Sequence, residues 1–209
     1  MPIAAVIKSA LLVLVLINPF LLSVYLMGMM RQLSLATFTR VMFHAVVISG
    51  VVFCLFALIG DRLFTDVLQV RFAAFLIFGG IVFLIIGIRF VFQGPEAVEL
   101  LRGEPEHLAG SVAMPFLIGP GTINASILAG SRVGPGNAAL AIAAALLGTL
   151  VIVVAFKVAH DFVGVRNKRL IDRYVDLCGR ISALVIGTIS IEMIFQGVEA
   201  WLTQSPLTQ

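Results

Sequence analysis

Glu192 stands well inside an apolar stretch towards the C-terminus, and Gln196 follows one helical turn later on the same face. A carboxylate there is costly in hydrocarbon unless it is paired, wet or protonated. Such a group could carry a coupled proton or counter a substrate ammonium. Held neutral, it could equally hydrogen-bond a neighbouring helix and do no more. The second chemical feature lies in the backbone. Residues 113–130, AMPFLIGPGTINASILAG, are apolar enough to enter a bilayer, yet they contain Pro115, Gly119, Pro120, Gly121 and Asn124. Proline removes a donor and clashes with the preceding turn, and glycine loosens the chain, so Gly-Pro-Gly should interrupt an α-helix. In lipid, broken backbone persists only where protein or a polar cavity satisfies its freed groups. Those groups, with a helix N-terminus facing a carboxylate, suit a small zwitterion. The plainer reading is a proline kink that only packs. Thr122 and Asn124 follow the break and could bond to solute or across a helix interface. Asn18-Pro19 interrupts the first apolar run in the same way. There Asn18 offers either a matching polar contact or a cap for a carbonyl released by Pro19.

Positioning such groups takes long apolar helices, and the composition supplies them. The chain has 209 residues, 60% hydrophobic and 12% charged, with mean hydropathy +1.11. A soluble domain carries about 25% charge. The net charge of +3 belongs to loops and helix ends and supports no nucleic-acid partner. Cys54 and Cys178 lie in apolar surroundings with no metal-ligand spacing, which reads as two buried thiols. No Ser/His/Asp set, paired carboxylates or phosphate-binding loop can be assembled, so no enzyme, catalytic residue, metal site or cofactor is expected beyond a coupling proton or sodium ion. His160-Asp161 is a weak ion-ligand pair, and His44 with Arg40 reads as interfacial.

Six spans are predicted, at 3–30, 41–59, 72–92, the broken segment from 109, 138–159 and 175–201. Between them fall turns at 31–40, 61–71, 131–137 and 160–174, and a polar connector at 93–108. A signal peptide is rejected for the first span, because no small-x-small site follows and apolar character resumes beyond Pro19. The fold class is therefore all-α and polytopic, one membrane domain over 1–209. Its three-helix repeats, 3–92 and 109–201, would lie inverted, each with a broken first helix, as secondary transporters are built. The Lys and Arg residues divide four to ten between the two sides, with Lys8, Arg62, Arg71 and Arg132 on the poorer one. The positive-inside rule then places both termini and the tail 202–209 in the periplasm and the connector in the cytoplasm. Gly79, Gly80 and Gly87 suit close helix contact.

These residues also carry a resemblance. Asn18-Pro19-Phe20 resembles the N-P or D-P element of the MarC family, the small neutral amino acid transporter family. Ala113-Met114-Pro115 followed by Gly119-Pro120-Gly121-Thr122-Ile123 is similar to its A-M-P-x-x-x-G-P-G-T/A-I signature. Gly79-Gly80 with Gly87-Ile88-Arg89, and the run from Arg180 to Gly197, resemble the third and last helices of that family. Leu21, Leu76, Ala183 and Glu192 depart from it, standing where members often have glycine, arginine, glycine and glutamine. The resemblance implies a bacterial inner-membrane protein that carries small neutral amino acids such as alanine and glycine. Its partners would be a small zwitterionic solute and membrane lipid, with self-association into a homo-oligomer left open. The substrate residues it implies are Asn18, Pro19, Gly119, Pro120, Gly121, Thr122 and Asn124, with Glu192 and Gln196 as coupling candidates. An exporter or channel for another small solute, or a membrane protein that transports nothing, are the alternatives.

Overall fold

Proline, glycine and serine cut the apolar sequence into helices. The computed structural model describes residues 3–60, 62–67, 69–93, 117–163 and 168–203. Among them every regular element is helical. The first apolar run divides into α1 (Ile3–Ile17), α2 (Pro19–Tyr25) and α3 (Met27–Gln32). The break at Pro19 is the expected one, and a second at Leu26 was not expected. Next come α4 (Leu35–Ile59), a π-helical turn at Leu63–Val67 and α5 (Phe72–Gln93). The second half contains α6 (Pro120–Val133), α7 (Pro135–Val163) and α8 (Lys168–Thr203).

Several expected turns are shorter than the polar residues suggested. The turn at 31–40 contracts to Leu33 and Ser34. Ser34 caps α4 by accepting the Thr37 N–H at 3.2 Å, while Arg31 occupies the last turn of α3, where a cation suits the helix dipole. The turn at 131–137 contracts to Gly134, at φ 79°, because Pro135 starts α7 at once. The loop at 160–174 is largely helix: α7 runs to Val163, and α8 begins at Lys168 rather than 175. Arg and Lys are good helix formers, so a basic stretch can extend a helix beyond its apolar span.

Among the described residues, five stretches are long and apolar enough to cross a membrane: Ile3–Tyr25, Leu35–Ile59, Phe72–Gln93, Pro135–Phe162 and Ala183–Thr203. With 14 residues, α6 extends about 21 Å, short of the ~30 Å hydrocarbon core. Pro115 and the connector at 94–108 lie outside the described residues. Each long helix presents large apolar side chains outward, among them Val15, Val51, Phe78, Val151 and Phe195. A soluble protein would hide surface on that scale, whereas a bilayer solvates it.

Small residues set the helix packing. α5 and α8 form the most extensive pair. They run antiparallel along a seam where Ala73, Gly80 and Gly87 recur every seven residues against Ala183, Ser190 and Gly197. A Cβ on Gly197 would lie 2.9 Å from the Ala73 carbonyl oxygen, and one on Gly80 2.8 Å from that of Ser190. These backbones are in contact, which only side chains as small as these allow. α1 packs on α7 and α4 on α6; α2 packs on α8 and α5 on α6; α4 also packs on α7. α6 also packs on α7, from which Gly134 alone separates it, as α3 packs on α4 across Leu33 and Ser34. Phe38, Phe53, Met30, Met42 and Ile142 fill the core where α3, α4 and α7 converge. Buried hydroxyls are satisfied inside their own helices: Ser49 donates to the Ala45 carbonyl, Thr149 to Ala145 and Ser190 to Ile186.

Candidate functional site

Both broken segments restart as helices with proline in the first turn. At the first, Asn18 lies in the left-handed region, φ 49° and ψ 76°, which asparagine tolerates better than most residues. Its Oδ1 accepts the Leu21 N–H at 3.2 Å, capping α2. That commitment leaves its NH₂ as the group offered outward. The Val15 carbonyl loses its helical donor, because the residue four positions on is Pro19. The Ser23 hydroxyl donates to the Pro19 carbonyl at 2.7 Å.

At the second break, Gly119 is extended at φ −122° and Pro120 opens α6. The Thr122 hydroxyl accepts the Gly119 N–H at 2.9 Å and stands 2.9 Å from the carbonyls of both Leu117 and Gly119. Thr122 is therefore a buried cap with its hydroxyl committed to the backbone, not the open solute ligand that its place after the break suggested. Ser126 likewise donates to the Thr122 carbonyl at 2.7 Å. The first-turn N–H groups of Gly121 and Thr122 point out of the helix N-terminus, as they do in any α-helix. Asn124 is half-buried.

The two breaks are neighbours. Phe83, at the centre of α5, packs its ring on Gly119, and Pro120 packs on Gly79 one turn away. A Cβ on Gly121 would lie 3.5 Å from Met193 Sδ and 3.9 Å from Leu16 Cδ2. Leu16 and Phe83 thus separate the second break from a cavity of about 60 Å³ that opens at the first. Asn18, Leu21, Leu22 and Tyr25 line one wall, Phe83 and Ile86 the next, and Ile186 and Ile189 the third. The space holds a few water-sized groups and is far smaller than a drug-sized pocket. Asn18 and Tyr25 are its polar lining residues, on otherwise apolar walls.

Of the residues singled out from the sequence, Asn18 reaches this cavity, and Pro19, Gly119, Pro120 and Gly121 form the breaks beside it. Tyr25 and Phe83 were missed. Tyr25 could have been found, because positions 18, 21, 22 and 25 share one helical face. Phe83 carries no such mark, since only the packing of α5 brings it to Gly119. Glu192 and Gln196 are elsewhere. Both side chains are exposed, and Gln196 Nε2 donates to Glu192 Oε1 at 2.9 Å. The inward positions of α8 are taken by Ala183, Ser190, Met193 and Gly197.

His160-Asp161 is not an isolated pair. Asp161 Oδ1 lies 2.6 Å from Lys157 Nζ and 3.4 Å from His160 Nδ1. Among the described residues no three His, Cys, Asp or Glu side chains converge as metal ligands.

A family model described as "MarC family integral membrane protein" matches residues 3–202. A protein of Buchnera aphidicola subsp. Schizaphis graminum (strain Sg), described as "UPF0056 membrane protein", is 22% identical over 197 residues, covering 94% of this chain and 97% of that relative. No solved structure matches significantly.

Proposed function

The chain belongs to the MarC family of integral membrane proteins, and from that premise we propose that it is a secondary transporter of small neutral amino acids. It works by alternating access in the bacterial inner membrane, with both termini periplasmic, and carries out no catalysis. The observation that carries this reading is the meeting of two proline-started helix breaks beside a small cavity at the centre of α5. Interrupted helices at corresponding positions of two halves are how secondary transporters build a solute site. The reciprocal packing of α1 on α7 and α4 on α6 favours two inverted halves around that site.

A zwitterion of alanine size suits the chemistry. The Asn18 NH₂ donates to its carboxylate, and the apolar walls take a short side chain. The cavity as it stands is a tight one, which selects against bulky solutes. Coupling to a proton or sodium ion would supply the driving force.

Purified protein in liposomes should exchange internal unlabelled alanine for external radiolabelled alanine or glycine. An imposed proton or sodium gradient should drive accumulation. Leu21→Trp, which fills the cavity, should abolish exchange while the protein remains folded. Absence of exchange for every neutral amino acid tested, or full exchange by Leu21→Trp, would overturn the assignment.

A further inference from the structure

The outward face of α8 carries a line of polar side chains through the apolar span. Thr188, Glu192, Gln196, Glu199 and Thr203 are all exposed and follow one another at intervals of three or four residues, so they share a single helical face. That face lies roughly opposite the Ala183, Ser190 and Gly197 seam that binds α8 to α5. Glu192 falls near the middle of the membrane-crossing stretch Ala183–Thr203. Exposed Leu184, Ile191, Phe195 and Leu202 flank the line. Lipid tails suit those four residues and cannot satisfy a carboxyl and an amide between them. Ionisable side chains in membrane spans therefore face protein or water.

We propose that this face is the interface with a second copy of the chain, related by a two-fold axis along the membrane normal. The Glu192–Gln196 hydrogen bond uses one amide N–H and one carboxyl oxygen. It leaves the second N–H, the amide carbonyl and the other carboxyl oxygen to be matched. The unmatched set contains both donors and acceptors, so a second copy of the same pair complements it. Under two-fold symmetry each Gln196 donates to the Glu192 of the other copy, and both pairs are completed by one operation. Polar side chains joining helices in this way are a general means of association within lipid. Among the described residues, the Glu192 and Gln196 side chains bond only to each other, with no polar side chain of another helix against them. The inference does not depend on what the protein transports.

Cysteine cross-linking in native membranes tests it. With Cys54 and Cys178 replaced by serine, Thr188→Cys should form a disulfide-linked dimer under mild oxidation. Val151→Cys, equally outward but on α7, should not. Adding Glu192→Leu and Gln196→Leu should slow the Thr188→Cys cross-link at least ten-fold, whereas Glu192→Gln, which keeps donors and acceptors, should retain it. A Thr188→Cys dimer no more abundant than that of Val151→Cys would overturn the proposal. So would a cross-link indifferent to loss of both polar side chains. The first comparison needs neither polar residue changed, so it stands even if the leucine variants fail to fold.

Discussion

Lys157 Nζ lies 2.6 Å from the carbonyl oxygen of Met30, so a buried ammonium ties α7 to the last turn of α3. The carbonyls at a helix end lack intrahelical donors, and a cation placed there satisfies one and complements the dipole. Asp161, 43% exposed, balances the charge at 2.6 Å. The broken first run is thereby pinned at its far end, which lets the break at Asn18 remain open without the two pieces drifting apart.

The arrangement predicts an asymmetry that exposure alone would reverse. Asp161→Ala strands a buried ammonium. Its cost should be about 2–3 kcal/mol, below the range for fully buried pairs because water reaches the Asp161 side. Lys157→Met replaces the cation with an apolar side chain of similar length and leaves one carbonyl short of a donor, at about 1 kcal/mol. Thermal unfolding in detergent should therefore rank Asp161→Ala below Lys157→Met. The opposite ranking would mean that Lys157 is not buried as described.

A second prediction contrasts two glycines. A Cβ on Gly130 would collide with the Ala57 carbonyl, and backbone on α4 cannot step aside as a side chain can. Gly130→Ala should part α4 from α6 and cost at least about 1–3 kcal/mol. Gly136, in the first turn of α7, has open space around it, and Gly136→Ala should be neutral or stabilising by up to about 1 kcal/mol. Yields of folded protein and unfolding midpoints would show the difference. Equal behaviour would mean that α4 and α6 do not touch at Gly130.

Much of this organisation was legible because it rests on local chemistry. Pro19 and Pro120 cannot continue a helix, and α5 is bounded almost as hydropathy placed it. What escaped depends on direction and partnership. Averaged hydropathy places Glu192 in the apolar span of α8 but not on a face. The face emerges only when Ala183, Ser190 and Gly197 are seen to take the contact with α5. Thr122 looked like a ligand by position, and its hydroxyl is instead consumed by the backbone three to five residues away. The cavity escaped for a third reason, since its walls come from four helices, α1, α2, α5 and α8, whose juxtaposition no local pattern encodes.

Phe83 and Gly119 supply a prediction that separates function from folding. Gly119 has a φ that alanine adopts freely, so Gly119→Ala carries no backbone strain. Its methyl group would meet the tip of the Phe83 ring, and the nearest space for that ring is the cavity it already lines. Gly119→Ala should reduce alanine exchange several-fold with little change in unfolding temperature. Gly119→Ala with Phe83→Leu, which withdraws the ring, should recover most of the exchange. Loss of exchange that Phe83→Leu does not relieve would indicate that Gly119 acts by another route.

Asn18 has two duties that different substitutions divide. Its left-handed backbone and its cap on Leu21 are structural, and the NH₂ that remains is the proposed solute contact. Asn18→Ala loses the cap at about 1 kcal/mol and forces alanine into the left-handed region at about 1–2 kcal/mol more. Asn18→Gly accepts that backbone without strain and costs only a few tenths of a kcal/mol as a cap. Unfolding temperature should therefore fall for Asn18→Ala and hold for Asn18→Gly. Alanine exchange should fall in both, because neither retains the amide, and the loss should appear as weaker apparent affinity in the stable glycine variant. If Asn18→Gly exchanges alanine with unchanged affinity, the amide serves only to shape the break. The recognition of solute must then move along the same wall to Tyr25.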